Sequence, residues 1–273
     1  MTRGLRAALR RYVRSQTLRS GVVQGVGRVI VSHEHRFVFV KTRKTAGTSI
    51  EVFLSKLAGE DAIVSPIRPA IEGHRPRNYS PPPTAKLLLD CRDPVGGNES
   101  ADRDVEPRDE IQRDLASGEW YWNHMPARTI RARLGPRRWD SYFTFTFERN
   151  PWEKAISRYF FEERTNPRGW SRSAFRQFVL SDRLQSDFDA YSLDGVTVAV
   201  DFVGRTERLS EDLRQVLERL GIETEVILGR EKASHRPPNA TVANLFDAET
   251  SQRVEQLFAR EIAALGFEAP QLK

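Results

Sequence analysis

The sequence predicts an α/β domain, a parallel sheet flanked by helices and interrupted by one long Pro-rich insert. Two observations carry this. Short runs of aromatic and β-branched residues alternate with stretches whose apolar residues fall at helical spacing, the order that builds a parallel sheet covered on both faces. Three of those runs also pass directly through a turn into a helix. Their turns then share the carboxyl edge of the sheet, where such folds bind ligands.

The first run, residues 36–41 (RFVFVK), reads as a strand. A turn of small and polar residues, 42–47, leads to a helix over 48–57 with Ile50, Phe53, Leu54 and Leu57 on one stripe. Residues 58–119 change character: prolines, glycines and charges dominate, and only 85–89 resembles a strand. This insert, about 60–119, reads either as a lid or acceptor-binding element or as a plain irregular insertion. Patterning resumes with a helix at 126–134 and a strand at 141–147 (SYFTFTF). Asn150 is placed as an N-cap, Pro151 as the first helical residue and Glu153 as the partner in a capping-box-like arrangement; that helix runs to about 163. A helix at 173–180, a strand at 199–203, a helix at 207–220 ended by Gly221, and a last helix at 248–265 stopped by Gly266 complete the reading. The domain organisation is a basic leader, 1–30, followed by a single domain, 31–273.

Composition bounds the function. The chain has 273 residues with 39% hydrophobic and 29% charged, enough to bury a sizeable core. Its net charge of +6 favours anionic partners without choosing among them. Cys91 is the one cysteine, which excludes an intrachain disulfide or a thiolate metal cluster and fits a reducing, cytoplasmic setting. The leader carries Arg3, Arg6, Arg10, Arg11, Arg14 and Arg19 around helically spaced apolar residues. It reads as a loosely docked helix or as peripheral contact with the inner membrane surface; no apolar run of signal-peptide or spanning type accompanies it.

Two segments carry chemistry. Lys44-Thr45-Ala46-Gly47-Thr48-Ser49 opens a helix directly after a strand. Helix N-termini present unpaired N–H groups and partial positive charge to phosphate or sulfate oxygens. Ala46 and Gly47 would let an oxyanion approach the backbone, Thr48 and Ser49 would add hydroxyls, and Lys44 a full charge. The spacing is not that of a Walker loop, because Lys44 precedes Gly47 and no Lys follows it. The second segment is Glu148-Arg149-Asn150-Pro151-Trp152, continuing to Ser157, Arg158 and Tyr159. Here a guanidinium at a strand end and a hydroxyl two turns along a capped helix can meet one phosphate.

In this order and about 100 residues apart, KTAGTS and RNPW…SRYF resemble the carbohydrate sulfotransferase superfamily that uses 3′-phosphoadenosine 5′-phosphosulfate. The branch resembled includes heparan sulfate 2-O-sulfotransferase and many bacterial homologues. The resemblance implies a P-loop-kinase-like fold. It assigns the phosphosulfate to residues 44–49 and the 3′-phosphate to Arg149 and Ser157. Residues 201–207, with Arg205, are similar to the family's next strand-to-helix segment. The loop of Lys232, His235 and Arg236 is similar to its late basic loop over the nucleotide. The family's usual Ile-Pro before the lysine is Thr42-Arg43 here; Arg43 adds a charge that contacts nucleotide or acceptor, or points to solvent.

The implied reaction is in-line displacement at sulfur without a metal. His124, in YWNHMP, matches the family's His-containing stretch and is the expected general base; Glu51 and Glu148 are the alternatives. The implied acceptor is a carbohydrate or glycolipid, with Arg68, Arg75, Arg77 and Arg92 of the insert as candidate anion contacts and no nucleic-acid partner. Two rivals remain open at this stage: a P-loop-type kinase, and a non-catalytic protein that binds polyanions or nucleic acid.

Overall fold

The computed structural model describes residues 29–67, 70–78, 125–163, 170–229 and 236–272. The Arg-rich leader to residue 28, the strand-like stretch 85–89, most of the insert with Arg68, Cys91 and Arg92, and His124, Lys232 and His235 lie outside the described residues.

One five-stranded sheet organises the rest. Strands β1 (Ile30–Ser32), β2 (Phe37–Phe39), β3 (Ile63–Val64), β4 (Phe143–Glu148) and β5 (Phe202–Arg205) are ordered β3-β1-β2-β4-β5. β2, β4 and β5 are parallel neighbours, as the strand–turn–helix pattern predicts. β1 corrects the expectation of an all-parallel sheet, since it runs antiparallel to both β2 and β3. Only a short turn, 33–36, separates β1 from β2, with Arg36 left-handed at φ 50°. So short a connection can join only antiparallel strands. The β-branched Val29, Ile30 and Val31 are fully buried, so the domain begins before residue 31. The early insert is likewise structural: Ile63–Val64 pairs with β1, and Val64 bridges to Arg77.

Side-chain alternation on β4 decides which helix covers which face. Phe143, Phe145 and Phe147 point one way and Thr144 and Thr146 the other, as period-two strands require. The phenylalanines pack with Phe37 and Phe39 of β2, the Phe39 and Phe145 rings lying 5.3 Å apart. Over them lie helices α1 (Gly47–Leu57), through Ile50, Phe53 and Leu54, and α6 (Leu209–Arg219), through Leu213, Val216 and Leu217. Gly204 of β5 stands opposite Phe147, and a Cβ there would come within 2.4 Å of its ring. Glycine is therefore the residue that admits this ring. The other face packs against α2 (Ala127–Leu134) and α3 (Pro136–Ser141) through Ile130, Leu134 and Trp139.

A separate helical layer extends from the carboxyl edge. α4 (Pro151–Glu162), α5 (Arg172–Leu180), α7 (Val242–Leu245), α8 (Ala248–Leu257) and α9 (Ala259–Leu265) share a cluster that includes Trp152, Tyr159, Phe175, Phe178 and Phe258. The expected single helix to residue 265 is two, broken at Phe258 (φ −108°, ψ 22°). Asn150 does cap α4, its Oδ1 accepting from the N–H groups of Trp152 and Glu153. The expected box is not closed: the Asn150 N–H donates to Glu207 at 2.8 Å, and the Glu153 side chain turns to two arginines. Among the described residues no helix is long and apolar enough to cross a membrane.

Candidate functional site

The loop between β2 and α1 is held in a strained shape. Lys44 and Ala46 are both left-handed, at φ 62° and 57°. Each costs on the order of 1–2 kcal/mol in an L-residue. Such left-handed residues, interleaved in a turn, make a concavity of backbone N–H groups suited to an anion. Ala46 is the N-cap of α1 and has no side chain to satisfy the helix's first N–H groups. Thr42 fixes the loop from behind, its Oγ1 donating to the Phe147 carbonyl at 2.5 Å. Thr45 is buried and its Oγ1 lies 3.0 Å from that of Thr42. Thr48 and Ser49 are buried at the start of the helix.

Gly47 also has a packing role. A Cβ on Gly47 would lie 2.6 Å from Cε of Lys41. The Lys41 stem crosses the glycine to reach Glu51, and that buried pair is 2.6 Å apart. Gly47 therefore makes room for a buried lysine.

The second turn leaves β4 beside the first, because β2 and β4 are parallel neighbours. Glu153 and Ser157 stand one turn apart on one stripe of α4, and Arg149, just before its N-cap, reaches Glu153. Arg149 Nη2 is 3.7 Å from Glu153 Oε2, and Arg236 grips the same carboxylate through both terminal nitrogens. Burial holds the Arg149 guanidinium below its usual range, against the opposing pull of Glu153 and Glu207. Two cations thus bracket one carboxylate beside Ser157, itself buried. Arg205, from the similar strand-to-helix segment, makes other contacts. Its guanidinium donates to the Leu265 carbonyl at the end of α9 and stacks on Phe267, 4.9 Å from the ring centre.

Between the two turns runs a chain of charged contacts. Arg43 donates to Asp187 from its backbone N–H (3.0 Å) and from Nε (2.5 Å), and also reaches Gln185 and the Ser186 carbonyl. Its guanidinium is thereby committed to the 185–187 segment rather than to solvent. Lys154 Nζ stands 2.8 Å from Asp187 and 2.6 Å from Glu148, and Glu148 Oε1 accepts the Arg149 N–H at 2.8 Å. Burial pushes Glu148 up to about 7, with Lys154 opposing. Burial also pulls Lys154 down, but Asp187 and Glu148 outweigh it and leave its ammonium above the ordinary value. Glu51 and Glu148 are each buried and ion-paired with a lysine, so neither alternative base has access to an incoming hydroxyl. Arg77 is also committed: it donates to the Gly59 and Ser55 carbonyls at the end of α1.

A cleft opens between the first loop, α4 and the 183–187 segment. Among the described residues its lining includes Arg43, Lys44, Lys154, Arg158 and Arg183, with Asp187 as the acid. Lys44 Nζ lies 4.2 Å from the centre of the Phe161 ring on α4. Lys44 thus meets α4 near its end, and the Arg149–Arg236 pair near its start. The sequence reading missed Lys154, Arg183 and Asp187. Lys154 had a signal, a lysine one helical turn beyond the cap on an otherwise apolar stretch; Asp187 sits in a loop with no pattern.

Comparison with known proteins adds the context. A family model described as "Sulfotransferase family" matches residues 27–268. Over 106 residues the chain is 39% identical to an uncharacterised protein of Archaeoglobus fulgidus, an alignment covering 37% of this chain and 87% of the relative. No solved structure matches the chain.

Proposed function

The chain belongs to the sulfotransferase family, and from that premise we propose that it moves a sulfuryl group from 3′-phosphoadenosine 5′-phosphosulfate to a hydroxyl of a carbohydrate or glycoconjugate. This family generally uses that donor. One observation carries the reading to these residues: the two turns with anion-binding character leave adjacent parallel strands and are tied together by Thr42, Asp187, Lys154 and Glu148. In this reading the N–H groups of 44–49 hold the phosphosulfate. Arg149, Ser157 and Arg236, with Lys232 and His235, hold the ribose phosphate.

The reaction is a displacement at sulfur. His124 takes the proton of the acceptor hydroxyl as the acceptor oxygen bonds to sulfur. The bond from sulfur to the 5′-phosphate oxygen breaks, and adenosine 3′,5′-bisphosphate leaves. Lys44 stabilises the charge that gathers on the bridging oxygen and the sulfuryl group. The basic leader would give peripheral contact with an anionic membrane.

Calorimetric titration with adenosine 3′,5′-bisphosphate, with and without Mg²⁺, tests the donor site. Binding that is the same in both buffers supports the reading. Strict dependence on ATP with Mg²⁺ would turn it toward a kinase. Polyanion binding that is unchanged by Lys44→Ala, with no nucleotide binding, would turn it toward a non-catalytic role.

A further inference from the structure

The turn after β2 keeps a shape that its own residues do not favour. Lys44 and Ala46 are left-handed without being glycine. Such a conformation persists only where the surroundings over-determine it. The restraints sit on the two residues before Lys44. Thr42 is tied to β4 through the Phe147 carbonyl. Arg43 is tied to the 185–187 segment by four donors, two of which end on Asp187: the backbone N–H on Oδ2 at 3.0 Å and Nε on Oδ1 at 2.5 Å.

The backbone contact is the one that governs the turn. A side chain can swing away and leave the chain beneath it in place. An N–H group moves only with its rigid peptide plane, here the plane between residues 42 and 43. By accepting that N–H, Asp187 sets the direction in which the chain enters Lys44. Asp187 is itself well fixed and almost wholly buried. Lys154 Nζ stands 2.8 Å from the same Oδ2, and Glu261 of α9 accepts the Asp187 N–H at 3.2 Å. Asp187 lines the cleft together with Lys44, and its two oxygens face Arg43 and Lys154. A carboxylate repels a phosphosulfate, so its part here is to hold the groups that attract one.

We infer that Asp187 is a positioning residue for the donor: it keeps the turn in the shape that aims Lys44 and the first N–H groups of α1 at the 5′-phosphosulfate, and does not touch the donor itself. The inference rests on the donor reading proposed above and adds to it a residue that lies outside both turns.

Two nucleotides read this turn separately from the rest of the site. Adenosine 3′,5′-bisphosphate carries the 5′-phosphate that the turn would hold, and adenosine 3′-monophosphate lacks it. Titrating the full chain with each gives the gain in affinity due to the 5′-phosphate. In the wild-type protein that gain should be about 10- to 100-fold, the range for hydrogen bonds to a charged group. D187A should remove most of it, while affinity for the 3′-monophosphate stays within about 2-fold. D187N should fall between the two, because an amide offers one acceptor oxygen to the Arg43 N–H, Arg43 Nε and Lys154 Nζ together. A role in stability alone would weaken both nucleotides or neither. Should D187A fail to melt cooperatively, D187N decides the matter: a loss of about 3-fold or more for the bisphosphate, with the 3′-monophosphate unchanged, supports the inference. An unchanged bisphosphate affinity overturns it, and so do equal losses for both nucleotides in either variant. A wild-type protein that binds neither nucleotide, or both equally well, sinks the donor reading instead, and this inference with it.

Discussion

Lys154→Met probes the charged chain between the two turns most directly. Lys154 is 3% exposed and stands within 2.8 Å of two carboxylates, Glu148 and Asp187, which are themselves buried. Methionine keeps the stem's volume but leaves both acids without their shared cation. Breaking a buried pair by removing one partner costs about 3–5 kcal/mol. Arg43 still neutralises Asp187, so most of that loss falls on Glu148. Glu148 already titrates near 7, and without Lys154 it moves higher and takes up a proton. The loss should therefore be largest at pH 8 and shrink toward pH 5.5, where Glu148 is neutral in wild type as well. Urea unfolding of both proteins across that range, at unchanged m-value, measures it. A loss below about 1 kcal/mol at pH 8, or one that does not vary with pH, would refute the view that Lys154 neutralises a buried carboxylate.

Other outcomes follow from the same geometry. In wild type the folded-state value of Glu148 lies above its unfolded one, so the native state holds more protons between about 4.5 and 7; this group's contribution to stability falls as pH rises through that window, and Glu148→Gln should flatten the slope in pH-dependent melts. Gly47→Ala should cost about 1–3 kcal/mol by denaturation, because its methyl meets the Lys41 stem, and the cost should shrink in a Lys41→Ala background. Lys44→Ala should abolish sulfuryl transfer while leaving the melting temperature near wild type; near-normal turnover would remove Lys44 from the chemistry. His124→Ala should retain bisphosphate binding and lower kcat by about 10²- to 10⁴-fold, and unchanged turnover would assign the proton to another group.

The central strands, the helices after them and both strand-to-helix turns were legible because local pattern fixes them. Alternating Phe and Thr in β4 and the Asn150-Pro151 start of α4 are signals a short window contains. Ile63–Val64 was not legible, since two residues among prolines and charges become a strand only when β1 is there to pair with them. Nor was Asp187: a loop acid becomes part of the site only once folding brings Arg43 and Lys154 to it, both more than thirty residues away in sequence. Gly47 has a packing reason that the sequence reading did not contain, because the neighbour that needs the space, Lys41, is brought over it only by the fold. Arg205 and Arg77 each donate to backbone carbonyls at a helix end, contacts the sequence did not reveal because it does not say which carbonyls lie in reach.

Glu261, on the last helix, accepts from Ser186 Oγ and from the backbone N–H groups of Asp187 and Phe188 at 2.5, 3.2 and 3.1 Å. One wall of the cleft is thus fastened by a residue of α9. During synthesis the sheet and both turns emerge well before their clasp does. A chain lacking Glu261 would possess both turns and still lose the acceptor that holds the backbone of Asp187 and Phe188, so this wall of the cleft takes its final shape only after α9 has been made.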